Sequence, residues 1–259
     1  MKFLIPSYGR CGKVTTAEML VGYGVSPSDI VIGVQTEEDH SAYSREYRRF
    51  RVAYAEASCA AGNRNNLLRM LEDGERAVLM DDDIKRISKV ALSNDKKKAR
   101  LLPIEADEFA SLIDVGFSLL DKVGGKGIWG VTHISNTMIL RRELAKGNVV
   151  KANQLIEGSF MGVVGGGGVR FDESVEYAED YECCLHTLTN GGSTFRINTH
   201  TVIKPDNGSS EGGCAHLYAK GKKYLHDAQQ RDIIERYPGL IGFTTKDPEC
   251  ISLMVKVRL

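Results

Sequence analysis

Ala77-Val78-Leu79-Met80-Asp81-Asp82-Asp83 is a four-residue apolar run that breaks into three carboxylates. The run reads as a strand, and the carboxylates mark its C-terminal end. Three like charges beside a buried strand end are costly unless something cationic sits among them. A divalent ion carrying a phosphorylated ligand would meet that need, because Mg²⁺ and Mn²⁺ take a few carboxylates together with phosphate oxygens. The plain alternative is a solvated turn from strand to loop.

Upstream of this run, strand and helix signals alternate. Residues 2–5, 29–34 and 52–55 read as strands. Residues 15–23 read as a helix ended by Gly24, residues 41–51 as a polar helix, and residues 63–72 as a helix with Leu67, Leu68 and Leu71 on one face and Gly74 at its end. Such alternation predicts an α/β fold whose central sheet is mixed but mostly parallel and flanked by helices. Ligands of such sheets lie beyond the carboxyl ends of the strands. Pro6-Ser7, Gln35-Thr36-Glu37 and Asp81-Asp82-Asp83 all fall at strand ends, so one crevice is expected to collect them.

Downstream, residues 94–101 are charged and read as an exposed loop or helix end. Residues 107–123 form an amphipathic helix pattern through Phe109, Leu112, Ile113, Gly116, Leu120 and Val123, stopped by Gly124-Gly125. Strands are expected at 128–134, 137–140, 159–164 and 194–203, a glycine turn at 165–168, and a helix at 177–188. No internal repeat or clean linker divides the chain, so residues 1–259 read as a single domain with two subregions.

Composition narrows the function classes. The 259 residues can bury a substantial core. The formal net charge is zero, so no global field recruits nucleic acid or a membrane, and only a local basic surface would do so. No apolar run is long enough to span a bilayer. The start is interrupted by Pro6 too soon for a signal peptide and reads as a first strand. Cys11, Cys59, Cys183, Cys184, Cys214 and Cys250 show no zinc-type spacing, and Cys183-Cys184 is expected to place one buried and one half-buried thiol on a helix. Free thiols without an export signal point to a reducing, cytoplasmic setting.

Several residues are candidates for chemistry. Glu179-Asp180 lies in the first turn of the 177–188 helix, where a carboxylate is ordinarily a dipole-stabilising residue. Its functional reading makes Asp180 a general base. Gly62-Asn63-Arg64-Asn65-Asn66 precedes an apolar helix, and Asn63 or Asn65 would serve as its N-cap. The functional alternative gives Arg64 to a phosphate or to the carboxylates, and Asn65 to a nucleotide. His216 follows the glycine-rich loop 206–213, which reads as a lid, and histidine is a common metal ligand. Arg45, Arg48, Arg49 and Arg51, interleaved with Tyr43 and Tyr47, are either a solvated helix face or a phosphate-backbone contact.

Taken in order, these pieces resemble the GT-A class of nucleotide-sugar glycosyltransferases. Ile5-Pro6-Ser7-Tyr8-Gly9-Arg10 resembles the opening strand and nucleotide loop of that class. Gly62-Asn63-Arg64-Asn65 resembles its helix start, Asp81-Asp82-Asp83 its DxD motif, and Glu179-Asp180 the late Glu-Asp pair of inverting members. His216 occupies the place of a late metal-binding histidine. A narrower likeness, carried by Ile-Pro-Ser-Tyr-Gly-Arg and Met-Asp-Asp-Asp, is to the phage TET-associated glycosyltransferases, which modify hydroxymethylated pyrimidines in DNA. One departure is Gln35-Thr36-Glu37-Glu38-Asp39, which replaces the usual short acidic loop and leaves open whether Glu37, Glu38 or Asp39 reads the nucleobase.

The resemblance implies a GT-A (Rossmann-like) fold, with residues 1–95 as the nucleotide-sugar-binding half and residues 125–259 as the acceptor-binding half. It implies a metal-dependent, inverting transfer from a UDP-sugar. Pro6, Ser7, Tyr8 and Arg10 would line the uridine side, with Arg64 and Asn65 at the nucleotide-sugar. Asp81 or Asp82 would hold the ribose, and Asp83 with His216 would hold Mn²⁺ or Mg²⁺. Asp180 would take the acceptor proton. For a DNA acceptor such as 5-hydroxymethylcytosine, Trp129, Phe160 and Tyr177 are candidates to stack on an extruded base, with core packing as their ordinary role. The competing readings are a transferase for a glycan, lipid or protein, a metal-dependent nucleotidyltransferase, and a non-enzymatic binding module.

Overall fold

Phe3, Leu4 and Ile5 are fully buried in strand β1 (Lys2–Pro6), as are all five residues of β2 (Ile30–Val34) beside it. Strands apolar on both faces belong inside a parallel sheet covered by helices on each side. The computed structural model describes residues 1–95, 97–205, 223–243 and 253–255. In it, β3 (Arg51–Tyr54), β2, β1 and β4 (Arg76–Met80) run parallel in that spatial order. The crossovers are α1 (Thr15–Gly22), α2 (Glu37–Glu46) and α3 (Ala60–Leu68).

The sheet continues beyond β4 into the second half of the chain. β9 (Phe160–Val164) lies antiparallel between β4 and β7 (Gly127–Thr132). β10 (Ser193–Ile203) then pairs parallel to β7, followed by the antiparallel hairpin β5 (Arg86–Leu92) and β6 (Ala99–Pro103). β8 (Val150–Ala152) pairs with β10 off the main path, which completes a ten-stranded sheet. Both halves therefore share one sheet and one fold, the mixed, mostly parallel α/β architecture expected. Among the described residues no helix is long and apolar enough to cross a membrane.

One face of the sheet carries α1, α2 and α4 (Ala106–Asp121), and the other carries α3 and α6 (Glu179–Thr189). Helix α4 buries Phe109, Leu112, Ile113, Gly116 and Leu120 of the expected stripe and adds Phe117, while Val123 falls past the helix end and is half-buried. Trp129 is fully buried between α4 and the sheet. A Cβ at Gly116 or Gly162 would fall 2.2 or 1.9 Å from its indole, so both positions exclude a side chain. Phe117 and Phe160 meet the ring edge-on. Trp129, Phe160 and Tyr177 are thus core residues at 0, 1 and 2 % exposure, which removes them as stacking platforms for a nucleobase.

Several boundaries differ from expectation. Residues 137–140 form the start of helix α5 (Thr137–Ala145), not a strand, because the Asn136 side chain accepts from the Met138 and Ile139 amides and caps it. Only Leu140 of that helix is buried. Helix α2 starts at Glu37, four residues early, where Thr36 Oγ1 accepts from the Asp39 amide. Helix α3 starts at Ala60, capped by Cys59, so Asn63 and Asn65 are interior residues and not N-caps. Cys183 and Cys184 are both fully buried, since each packs between α6 and the sheet. Residues 99–101, expected in an exposed loop or helix end, instead open strand β6, because they pair antiparallel with Val90–Leu92 of β5. The strands β5 and β8, the helix α7 (Lys223–Arg236), and the paired strands β11 (Ile241–Phe243) and β12 (Leu253–Val255) had no sequence expectation.

Candidate active site

The ends of β1, β2 and β4 do converge. Ser7, one residue past β1, donates its Oγ to Asp82 Oδ2 at 2.5 Å and pairs with Tyr43 Oη at 2.8 Å, while its amide donates to Gly33 O at 2.9 Å. Arg10 Nη1 reaches Asp82 Oδ1 at 2.6 Å and Asp83 Oδ2 at 3.0 Å. Tyr43 Oη also accepts from the Arg10 amide at 2.8 Å, which fixes the loop after β1. Gly9 N donates to Asp39 Oδ2 at 3.2 Å, so among the three acids of the β2 loop it is Asp39 that turns toward this loop.

The acidic turn itself is held from α1. Thr16, fully buried, donates from Oγ1 to Asp81 O at 2.5 Å, accepts from the Ile84 amide at 2.9 Å, and its own amide donates to Asp82 O at 3.2 Å. With its backbone so fixed, the turn splits its side chains. Asp82 and Asp83 face Arg10, while Asp81 takes Arg64 Nη2 at 2.9 Å and Lys204 Nζ at 3.0 Å. Lys204, just past β10, also holds Glu157 Oε1 at 2.9 Å. Arg64 donates to Gly158 O at 2.8 Å and lies 3.7 Å from Glu179. Asp180 Oδ2 accepts from the Gly158 amide at 2.7 Å.

Glu179-Asp180 is aimed by an unusual backbone. Ala178 adopts the left-handed conformation (φ 59°) at the junction into α6, a shape that costs a non-glycine residue about 1–2 kcal/mol. The turn brings Glu179 against Arg64 and Asp180 against the 157–159 loop.

Charge is unbalanced here. Among the described residues, the six carboxylates of Asp81, Asp82, Asp83, Glu157, Glu179 and Asp180 meet three cations, Arg10, Arg64 and Lys204. The titration behaviour follows that imbalance. Burial would raise Asp81, but Lys204 and Arg64 overcome it and hold its pKa at about 2. Burial wins at Asp82 and lifts it to about 6 despite Arg10 and Ser7. Asp83 is raised by burial and by Asp81. Asp180 is pushed to about 7 by burial and by Glu179, and Glu179 is itself raised by burial. Tyr43 is pushed up to about 12 by burial. A site that keeps this much excess acid together suits a cation. Among the described residues no three His, Cys, Asp or Glu side chains gather as a metal cage, so an ion at half-buried Asp83 would need ligand oxygens to complete its shell.

Other expected residues fall as follows. Pro6 ends β1, and Tyr8 is 42 % exposed beside the site. Asn65 spends its amide on Phe171 N and O and on Glu173, all at 2.9 Å, so its bonds brace that loop. Tyr43 and Tyr47 point inward, whereas Arg45, Arg48, Arg49 and Arg51 are exposed. His216 and loop 206–213 lie outside the described residues. Sequence reading overlooked Tyr43, Thr16, Glu157 and Lys204 as parts of the site. Lys204-Pro205 carried a signal, a charge at a strand end, of the kind that flagged the aspartates.

Neither a family model nor a curated protein sequence matches the chain. Solved structures do. The glucosyl-3-phosphoglycerate synthase of Mycobacterium tuberculosis, in complex with Mn²⁺, UDP and glucosyl-3-phosphoglycerate, superposes with a TM-score of 0.53 at 9 % identity, over 98 % of this chain and 86 % of that one. A mycobacterial protein matches with a TM-score of 0.50 at 12 % identity, over 98 % and 82 %. Staphylococcus aureus TarS residues 1–349 in complex with UDP gives 0.43 at 12 %, over 93 % and 74 %. The first two place the fold in the GT-A type.

Proposed function

We propose that this chain is a metal-dependent glycosyltransferase that moves a sugar from a UDP-sugar to an acceptor hydroxyl with inversion. The observation that carries the reading is the acid-rich crevice at the ends of parallel strands β1, β2 and β4, where the Asp81-Asp82-Asp83 turn meets Arg10, Arg64 and Lys204. The fold of a synthase solved with Mn²⁺ and UDP supports it as an analogy.

On this reading residues 1–95 form the nucleotide-sugar half and residues 125–259 the acceptor half. Pro6, Ser7, Tyr8 and Arg10 line the uridine side, with Asp39 as the acid that reads the base. Asp81 or Asp82 takes the ribose, and Arg64 and Lys204 add positive charge for the diphosphate. Asp83, with His216, would hold Mn²⁺ or Mg²⁺. When bound, such an ion supplies Lewis-acid stabilisation of the departing diphosphate. Asp180, oriented by the Gly158 amide and tuned by burial toward neutrality, accepts the proton of the attacking hydroxyl. General-base help of this kind contributes about 10²–10⁴ in rate.

The acceptor with the most specific sequence basis is a hydroxymethylated pyrimidine in phage DNA, met in the cytoplasm of the host. The exposed arginines 45, 48, 49 and 51 favour it, and the burial of Trp129, Phe160 and Tyr177 does not. Duplex affinity that falls with salt, with a slope flattened by replacing Arg45, Arg48 and Arg49, supports that acceptor. A flat slope in the parent protein returns the acceptor to a glycan, lipid or protein.

The deciding experiment is calorimetric titration of UDP with and without Mn²⁺. Metal-dependent binding that is lost in Asp83→Ala is the expected result. No binding in either condition refutes the reading.

A further inference from the structure

Helix α6 and strand β10 form a tight return through Gly191-Gly192. From the turn, the eight helical steps back from Thr189 to Tyr181 span about 12 Å at 1.5 Å each. The three strand steps forward from Ser193 to Arg196 span about 10 Å at 3.3 Å each. Tyr181 and Arg196 therefore come level, one residue from Asp180. Strand alternation agrees: Thr194 and Asn198 share Arg196's face, whereas Phe195 and Ile197 pack into the core on the α4 side.

Arg196 is built into this position. Its Nε donates to Oδ1 of the buried Asn198 at 3.1 Å. Asn198 is in turn clamped by its Nδ2 to Asn148 O at 2.9 Å and by its amide to Val149 O at 2.8 Å. No carboxylate of the described residues lies in ion-pair contact with the Arg196 guanidinium, although the group is half-buried. Its nearest acid influence is Glu143, which is engaged with Lys151 and Asn148. Burial accordingly lowers the Arg196 pKa. His133, exposed on the surface, has its pKa lowered first by desolvation and then by the charges of Arg196 and Lys204, whose fields it shares. The one carboxylate among the described residues that is near it, Glu157 at 4.0 Å, is already paired to Lys204 at 2.9 Å. A guanidinium desolvated without a counter-ion is costly, and its two outer nitrogens bind a phosphate or carboxylate in a planar fork.

We propose that Arg196, with His133 and Tyr181, forms an acceptor subsite for an anionic group, a phosphate or carboxylate carried by the acceptor close to the hydroxyl that attacks. This rests on the glycosyltransferase reading for its role, and on Arg196 alone for its existence. The shared chemistry has two sources, a small phosphorylated or carboxylated acceptor and the backbone of a nucleic acid.

The test is titration of the full chain with inorganic phosphate in the presence and absence of saturating UDP and Mn²⁺. It is repeated with Arg196→Gln and Arg196→Lys, and UDP affinity is measured separately on each protein. Expected is phosphate binding that persists under saturating UDP, weakens by about tenfold or more in Arg196→Gln, and recovers in part in Arg196→Lys, with UDP affinity unchanged throughout. Equal phosphate binding by parent and Arg196→Gln overturns the subsite, as does no binding by the parent. Arg196-dependent phosphate binding without any UDP binding keeps the subsite and refutes the glycosyltransferase reading. Phosphate competition against a hydroxymethylated duplex and against glycerol phosphate then separates the two sources.

Discussion

Replacing Asp180 by Asn should make the protein more stable at pH 8 while it removes transfer. The Asp180 carboxyl has its pKa lifted from 3.8 to about 7, first by burial and then by Glu179. Each unit is worth 1.36 kcal/mol between the two protonation states, so the ionised form carries a penalty of at most about 4 kcal/mol in the folded chain. The direction is set by linkage: the unfolded chain releases this proton near pH 4 and the native chain holds it until about 7. Native stability from this group is therefore full below pH 4, falls between 4 and 7, and stays reduced above. Asn carries no charge and retains one oxygen for the Gly158 amide, 2.7 Å from Oδ2 in the parent, but its NH2 group cannot accept from the Tyr181 amide, which donates to Oδ1 at 2.8 Å. Linkage alone would give the variant about 4 kcal/mol at pH 8 and about 1.5 kcal/mol at pH 5, and the unsatisfied Tyr181 amide takes back about 1–3 kcal/mol at both, so the two pH values should differ by about 2.5 kcal/mol. Urea denaturation midpoints at both pH values measure it. A variant equally stabilised at both, or less stable than the parent at pH 8, refutes the argument. In the same protein kcat should fall by about 10²–10⁴, and the parent's kcat/KM should rise with pH through an apparent pKa near 7. Parent-like turnover by the variant removes Asp180 as the base.

Trp129 is the sole tryptophan, so fluorescence reports its site directly. Its emission should be blue-shifted, resist acrylamide, and ignore added duplex; ready quenching would contradict its burial. Gly162→Ala, whose Cβ would sit 1.9 Å from the indole nitrogen, should cost about 1–3 kcal/mol or more by thermal denaturation, and an unchanged midpoint would dispute that packing. Lys204→Met takes the larger counter-charge from Asp81, whose pKa is held near 2 against 3.8, and should cost about 2 kcal/mol at pH 7. A depressed carboxyl contributes its stability above pH 4 and loses it as pH falls through 2, so this deficit should narrow in acid. A deficit independent of pH would point to lost packing instead.

The parallel β3-β2-β1-β4 sheet was legible because its strands are short, apolar and punctuated, and β1 and β2 bury both faces. The stripe of α4 was legible because a helix that packs one face repeats its apolar residues every 3.6 positions. Residues 137–140 misled because Thr137 and the three apolar residues after it fit a strand or a capped helix equally, and only the Asn136 cap decides. Tyr43 and Tyr47, interleaved with arginines, read as part of a solvated helix face or of a phosphate-backbone contact. The helix turns them inward, where Tyr43 meets Ser7 and Tyr47 accepts from the Val14 amide.

At the site, the sequence by itself placed acid at the ends of neighbouring strands, since a parallel sheet aligns those ends whatever fills the space between them. It could not say which charges meet. Lys204 stands 123 positions from Asp81 along the chain and 47 from Glu157, and Glu179 lies nearly as far from Arg64 as Lys204 does from Asp81. Only the folded sheet, with β9 inserted antiparallel beside β4 and β10 two strands beyond, brings them within 3 to 4 Å. The charge on a side chain is local information. The pKa it acquires depends on solvent exclusion and on partners from distant segments, and those are properties of the tertiary structure alone.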